Sequence, residues 1–115
     1  MKKVFKRIIL IDLDGVLNEY KGVYDENYIP RMKVGAKEFL KNLSQKYIIK
    51  IFTTRNSLLT AKWLIENKVD KYVFDIVNKK DSAFLFIDDR CLCFNGNFDE
   101  VYKNINDFRV YWKEV

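Results

Sequence analysis

Two acidic residues, Asp12 and Asp14, stand two positions apart directly after the apolar run of residues 8–11. That run predicts a buried β-strand, and the strand delivers both acids to its C-terminal end. Alternate residues of an extended chain point the same way, with Cα atoms about 6.5–7 Å apart, so both carboxylates can reach one cation and one substrate atom. Gly15 follows them and allows a sharp backbone turn. Taken alone, an Asp-x-Asp pair is also typical of a solvated turn or a helix cap.

The absence of histidine restricts the chemistry that this chain can perform. A general base must then be a carboxylate, Lys, Tyr or Cys, and a metal site must be built mainly from oxygen ligands, which favours Mg²⁺. Cys91 and Cys93 lie two positions apart and lack the further thiolates or imidazoles that a zinc site needs. We interpret both cysteines as strand or core residues.

Length, composition and charge predict one globular domain. The 115 residues are 49% hydrophobic and 16% aromatic, which is enough for a single core without a linker. The net charge of +5 comes from lysines interspersed with acids, which favours a solvated exterior and leaves a nucleic-acid surface as the alternative. The apolar run of residues 8–11 is too short for a signal peptide or a membrane span. We therefore expect a cytoplasmic protein with no membrane partner.

Apolar positions alternate along the chain between extended and helical spacing. The pattern predicts strands at residues 8–11, 47–52, 72–77 and 83–87, and helices at about residues 33–45, 57–67 and 99–106. It also predicts a loop at residues 16–31, a short strand at 91–94, a turn at 95–96 and an extended segment at 110–112. Strands that alternate with helices through short joints favour right-handed crossovers. The predicted class is a three-layer α/β/α, Rossmann-like fold with a mainly parallel central sheet, covered on both faces.

Polar residues follow every predicted strand, at the end where parallel sheets bind their ligands. They are Asp12 and Asp14 after the first strand, Thr53 and Arg55 after the second, Lys80 after the third, and Asp88 and Asp89 after the fourth. Carboxylates gathered at one rim repel one another, and a Mg²⁺ ion that also contacts a phosphate relieves this repulsion. Lys80 and Thr53 suit phosphoryl oxygens, and a carboxylate can attack phosphorus to form an aspartyl-phosphate.

Four segments together resemble the motifs of the haloacid dehalogenase superfamily, over about residues 8–94. Residues 11–17, Ile-Asp-Leu-Asp-Gly-Val-Leu, resemble the first motif, and residues 51–55, Ile-Phe-Thr-Thr-Arg, resemble the second. Lys80 fits the third motif, and residues 87–90, Ile-Asp-Asp-Arg, fit the acidic fourth. Any one of these motifs is weakly specific, whereas four in order on a fitting pattern are specific together.

The resemblance implies a role for each matched residue, with Asp12 as the nucleophile and Asp14 as the general acid/base. It implies a phosphate-binding group of four residues: Thr53, Thr54, Arg55 and Lys80. It implies a Mg²⁺-binding group of four carboxylates: Asp12, Asp14, Asp88 and Asp89. Three choices stay open: Thr53 or Thr54 and Lys80 or Lys79 for the phosphate, and Asp88 or Asp89 as the direct metal ligand.

The residues and the resemblance together imply a Mg²⁺-dependent phosphatase of a small phosphorylated metabolite, either a sugar phosphate or a nucleotide. The reaction would proceed through an aspartyl-phosphate. Two alternatives remain, a nucleic-acid end phosphatase and a catalytically idle binding module with the same fold. A panel of phosphorylated substrates, tested with and without Mg²⁺, separates the three.

The short spacing between the motifs leaves no room for the cap domain that many members of this superfamily carry. We therefore expect one domain over residues 1–115, with no separate cap. Exclusion of water would then fall to the substrate itself or to a neighbouring subunit of a homo-oligomer. Several aromatic residues could form such a contact, although ordinary core packing would explain most of them: Tyr20, Tyr24, Tyr28, Tyr111 and Trp112.

Overall fold

A four-stranded parallel sheet lies at the centre of the computed structural model, which describes residues 5–113. Its strands are β1 (Arg7–Asp12), β2 (Tyr47–Phe52), β3 (Asp75–Val77) and β4 (Leu85–Ile87). They lie in the order β3-β2-β1-β4, so β1 and β2 are the two central strands. The predicted α/β class with a parallel sheet is confirmed.

The described chain forms three α-helices. They are α1 (Ala36–Ser44), α2 (Ser57–Glu66) and α3 (Phe98–Asp107), and a 3-10 turn spans Asp70–Tyr72. Helix α1 packs against β2, and helix α2 packs against β3. The start predicted for α1 at residue 33 is too early, because Gly35 has a φ of 93° and so leaves the helical path. Asn56 caps α2 and accepts one backbone N–H, and Asn97 caps α3 and accepts two. None of the helices within residues 5–113 has the length and apolar character needed to cross a bilayer.

The hydrophobic core lies between one face of the sheet and helices α1 and α2. The chain steps in one direction from β1 to β2 to β3, and residues of both helices share one buried cluster with these strands, as right-handed connections would require. The core residues from these strands and helices are almost fully buried: Ile9, Ile11, Ile49, Ile51, Leu40, Trp63 and Leu64. The connection from β3 then returns across the sheet to β4, and an ion pair of 3.4 Å between Lys50 and Asp81 ties it to β2.

The two extended segments predicted beyond β4 are wrong. Residues 91–94 are exposed and irregular, and the chain turns at 111–113 instead of continuing as a strand through 110–112. A strand needs a hydrogen-bonding neighbour, and neither segment has one within the described part of the chain. β3 and β4 are also shorter than predicted, and a 3-10 turn takes up the start of the segment predicted as β3 at residues 72–77.

Residues 13–35 form an irregular loop between β1 and α1, as predicted for its central part. An antiparallel bridge joins Asn18 to Met32, and the Glu19 N–H donates to the Arg31 carbonyl at 2.9 Å. The loop thus folds back on itself beside the carboxyl end of β1.

Candidate acidic metal site

Three carboxylates meet at the carboxyl ends of β1 and β4. Asp12 is the last residue of β1, and Asp88 and Asp89 follow β4 directly. The parallel register pairs Ile11 with Ile87, so the acids that follow these two residues lie side by side at the edge of the sheet. One carboxylate oxygen from each of the three residues lies within 4.8 Å of those of the other two. This group, which we call the acidic triad, can hold a metal ion.

Burial and the neighbouring carboxylates disfavour the ionised form of Asp12. Burial, the charge of Asp88 and a hydrogen bond with Asp89 are the main causes that raise the pKa of Asp12 from 3.8 to about 8. Without a metal ion, Asp12 therefore keeps a proton at neutral pH. A divalent cation favours the ionised carboxylates and would replace that proton. Three carboxylates are hard oxygen donors, which suit a hard divalent cation.

Asp89 is held in place by an aromatic side chain close to the end of the described chain. The Trp112 indole N–H donates to Asp89 Oδ2, and the Tyr111 hydroxyl donates to the Gly15 carbonyl. Gly15 has a φ of 84°, and a Cβ built there would lie 2.2 Å from Asp89 Oδ2 and 2.8 Å from Trp112 Nε1. The turn therefore needs glycine both for its conformation and for the space beside Asp89.

Asp14 does not join the acidic triad, and its carboxylate pairs with Arg55. Arg55 Nε lies 2.9 Å from Asp14 Oδ2 and 3.1 Å from Oδ1, and Asn18 Nδ2 donates to Oδ1 at 3.0 Å. Arg55 Nη1 donates to the carbonyls of Asp25 and Tyr28, in the loop between β1 and α1. Arg55 is only 4% exposed, and its Nε and Nη1 atoms bind the protein's own groups, which joins the end of β1 to that loop.

Thr53 and Thr54 are neighbours beyond β2 but differ in exposure. Thr53 is buried, and its hydroxyl oxygen accepts a hydrogen bond from the Arg55 N–H at 3.1 Å. The hydroxyl hydrogen of Thr53 remains available as a donor. Thr54 is exposed, and both threonines line a cleft of about 560 Å³ at the carboxyl ends of β2 and β3.

Lys79 and Lys80 lie on different surfaces. Lys79 lines the cleft between β2 and β3. Lys80 Nζ lies 5.4 Å from the centroid of the Phe86 ring on β4. Phe86 is the register partner of Leu10, and side chains two apart on β1 share a face, so Lys80 lies over the face that carries Asp12.

Comparison with known proteins adds a structural match. No protein-family model matches this chain, and no curated protein matches it. The structure is similar to that of a conserved protein coded by a locus of Bacteroides thetaiotaomicron, with a TM-score of 0.59 and 22% sequence identity. The match covers 90% of this chain and 92% of that chain. At this level of identity it shows a shared fold over nearly the whole of both chains.

Two residues outside the predicted motifs contact the site. Asn18 is fully buried, donates to Asp14 and accepts from the Gly15 N–H. A short polar residue soon after a glycine is a weak sequence signal for such a turn. Trp112 lies 23 residues after Asp89, its hydrogen-bond partner, and no local pattern links the two.

Proposed function

We propose that this protein is a Mg²⁺-dependent phosphohydrolase that acts through an aspartyl-phosphate on a small phosphorylated metabolite, such as a sugar phosphate or a nucleotide. The observation that carries the proposal is the acidic triad of Asp12, Asp88 and Asp89 at the carboxyl ends of β1 and β4. Parallel α/β sheets bind their ligands at this rim. The resemblance of the surrounding motifs to the haloacid dehalogenase superfamily supports the same activity.

The acidic triad would hold the Mg²⁺ ion. When bound, Mg²⁺ neutralises negative charge on the phosphoryl oxygens and on the carboxylates. Asp88 is the better candidate for a direct ligand, because Asp89 accepts the indole N–H of Trp112 and also shares a hydrogen bond with Asp12. By contrast, Asp88 accepts the backbone N–H of Arg90 at one oxygen. Asp89 then supports the site through its hydrogen bonds.

Two aspartates would carry the reaction. A carboxylate oxygen of Asp12 attacks phosphorus, and the bond from phosphorus to the leaving oxygen breaks as the aspartyl-phosphate forms. Asp14 must carry a proton when the substrate binds; it gives that proton to the leaving oxygen and later takes one from the water that hydrolyses the aspartyl-phosphate. Inorganic phosphate leaves and Asp12 is regenerated. Arg55 and Asn18 orient the Asp14 carboxylate for both proton transfers.

Phosphate binding would use the threonines and one lysine beside this rim. Thr53 has a hydroxyl hydrogen available for a phosphoryl oxygen. Lys80 lies over the sheet face of Asp12, whereas Lys79 lines the threonine cleft. Separate Lys79→Ala and Lys80→Ala variants decide between them, because loss of the phosphate-binding charge raises KM for every phosphate ester.

A phosphate-release assay tests the proposal. We expect the wild-type protein to hydrolyse phosphate monoesters with Mg²⁺ and to stop in EDTA. Asp12→Asn should fold and release no phosphate above background, because an amide cannot supply the attacking oxygen. Asp107→Asn, an exposed change on α3, is the control for loss of one acid. Phosphate release by folded Asp12→Asn at the wild-type rate would contradict the assignment.

Binding of beryllium fluoride tests the nucleophile without turnover. This complex mimics a phosphoryl group on a carboxylate, so with Mg²⁺ it should raise the melting temperature of the wild-type protein. We expect no such rise for Asp12→Asn. Equal stabilisation of both proteins would show that another group receives the phosphoryl mimic.

A further inference from the structure

A pocket lined by basic residues lies beside the acidic triad. Its volume is about 560 Å³. The residues that the argument uses are Lys21, Gly22, Arg90, Arg109, Trp112 and Lys113. We call this cavity the basic pocket. Among residues 5–113, none of those that line it is acidic.

The positive charges of the basic pocket have no acidic partners in the described chain. Salt bridges within residues 5–113 join Lys33 to Glu19, Lys50 to Asp81 and Arg55 to Asp14. The four basic side chains of the pocket take part in none of these pairs. Four unpaired cations around one concave surface create a positive potential that attracts a multiply charged anion.

Trp112 connects the basic pocket to the acidic triad. Its indole N–H donates to Asp89, and its ring lies 5.5 Å from the Arg90 guanidinium. The other edge of the indole approaches Gly22, where a Cβ would lie 3.3 Å from a ring carbon. The pocket therefore begins one indole ring away from the candidate catalytic site.

We infer that the basic pocket binds a second phosphate group of the substrate. This inference rests on the proposed function for the first phosphate, the one that is cleaved. Each arginine guanidinium can bind two phosphate oxygens at once, and each lysine adds a point charge. Two arginines and two lysines therefore suit a phosphate or phosphodiester. The ligand is either a small bisphosphate or a nucleic-acid end, which shares the same chemistry.

The first test compares substrates that differ only in the second phosphate. A nucleoside 5′-monophosphate lacks it, a nucleoside 3′,5′-bisphosphate carries it, and a 5′-phosphorylated dinucleotide carries it as a phosphodiester. We expect kcat/KM to be at least about tenfold higher for one of the doubly charged substrates than for the monophosphate, as one charge-assisted contact gives this factor. Preference for the bisphosphate identifies a small metabolite, and preference for the dinucleotide identifies a nucleic-acid end.

The second test reverses two charges of the basic pocket. The Arg109→Glu/Lys113→Glu variant should lose the preference for the second phosphate. The matched control is Lys37→Glu/Lys41→Glu, which changes net charge equally on the exposed surface of α1. Both variants weaken the general attraction between protein and substrate alike. We expect the control to keep the preference, because Lys37 and Lys41 do not line the basic pocket. Equal loss in the two variants would overturn the inference.

Direct binding separates failure of the inference from failure of the proposed function. Calorimetry with the 5′-phosphorylated dinucleotide and the bisphosphate, in the presence of Mg²⁺, needs no turnover. Binding that depends on Arg109 and Lys113, in a protein that hydrolyses nothing, would keep the basic pocket and refute the phosphatase. Hydrolysis of all three substrates with equal kcat/KM, unaffected by the charge reversal, would keep the phosphatase and refute the pocket.

Discussion

Replacing Asp12 with asparagine should stabilise the metal-free protein at alkaline pH while it abolishes activity. The folded protein raises the pKa of Asp12 from 3.8 to about 8, so the ionised carboxylate is disfavoured in the fold. One pKa unit corresponds to about 1.4 kcal/mol, which sets an upper limit of about 6 kcal/mol. Because Asp12 is partly exposed, solvent screening lowers this to on the order of 2–3 kcal/mol. Asparagine removes the charge and can still donate to Asp89.

The pH dependence of this effect has a defined sign. Between pH 4 and pH 8 the folded wild-type protein holds a proton on Asp12 that the unfolded chain has lost. The free energy of unfolding of the metal-free wild type therefore falls as the pH rises through this range. Asp12→Asn does not titrate there, so its advantage grows from pH 5 to pH 8 and is constant above that.

Thermal unfolding in EDTA at pH 5 and pH 9, followed by circular dichroism, measures the difference. At pH 9 we expect Asp12→Asn to melt roughly 10 °C above the wild type, and at pH 5 the gap should be small. Asp107→Asn, which removes an exposed acid, should show no such pH-dependent gap. A variant that is less stable than the wild type at pH 9 would refute the reasoning.

Magnesium should reverse the order of stability. Binding requires the ionised form of Asp12, so the Mg²⁺ affinity of the wild type should rise about tenfold per pH unit up to pH 8. Mg²⁺ should stabilise the wild type more than Asp12→Asn, which lacks one ligand. Isothermal titration calorimetry at pH 6, 7 and 8 measures the dependence, and an affinity independent of pH would contradict a protonated Asp12.

Three further predictions concern the groups around the acidic triad. Gly15→Ala should lower the free energy of unfolding by about 1–3 kcal/mol more than Gly96→Ala in urea titrations, because both glycines have positive φ but only Gly15 has Asp89 against the added Cβ. Trp112→Phe should weaken Mg²⁺ binding about tenfold by calorimetry, since Asp89 loses its donor; unchanged affinity would show that this donor does not support the metal site. Arg55→Lys should cost about 1–3 kcal/mol in urea, and a double-mutant cycle with Asp14→Asn should show coupling, whereas additive losses would exclude the pair.

The sequence alone predicts the sheet and the rim where the acids lie. Apolar runs that end in polar residues are local signals, so β1 and β2 and the acids after β1 and β4 follow from single segments of the chain. Parallel connections then require the carboxyl ends of these strands to share one edge. The prediction of a short strand at residues 91–94 was wrong, because a local apolar pattern does not show whether a neighbouring strand is available to pair with it.

Only the tertiary structure decides which partner each of these acids has. Asp12 meets Asp88 and Asp89 in the acidic triad, while Asp14 pairs with Arg55, 41 residues away. Trp112 reaches Asp89 through a turn at the end of the described chain. Such partners are chosen by packing between distant segments, where burial strengthens each ion pair and hydrogen bond that forms and penalises each charge left alone. That energy depends on three-dimensional proximity, which no spacing along the chain encodes.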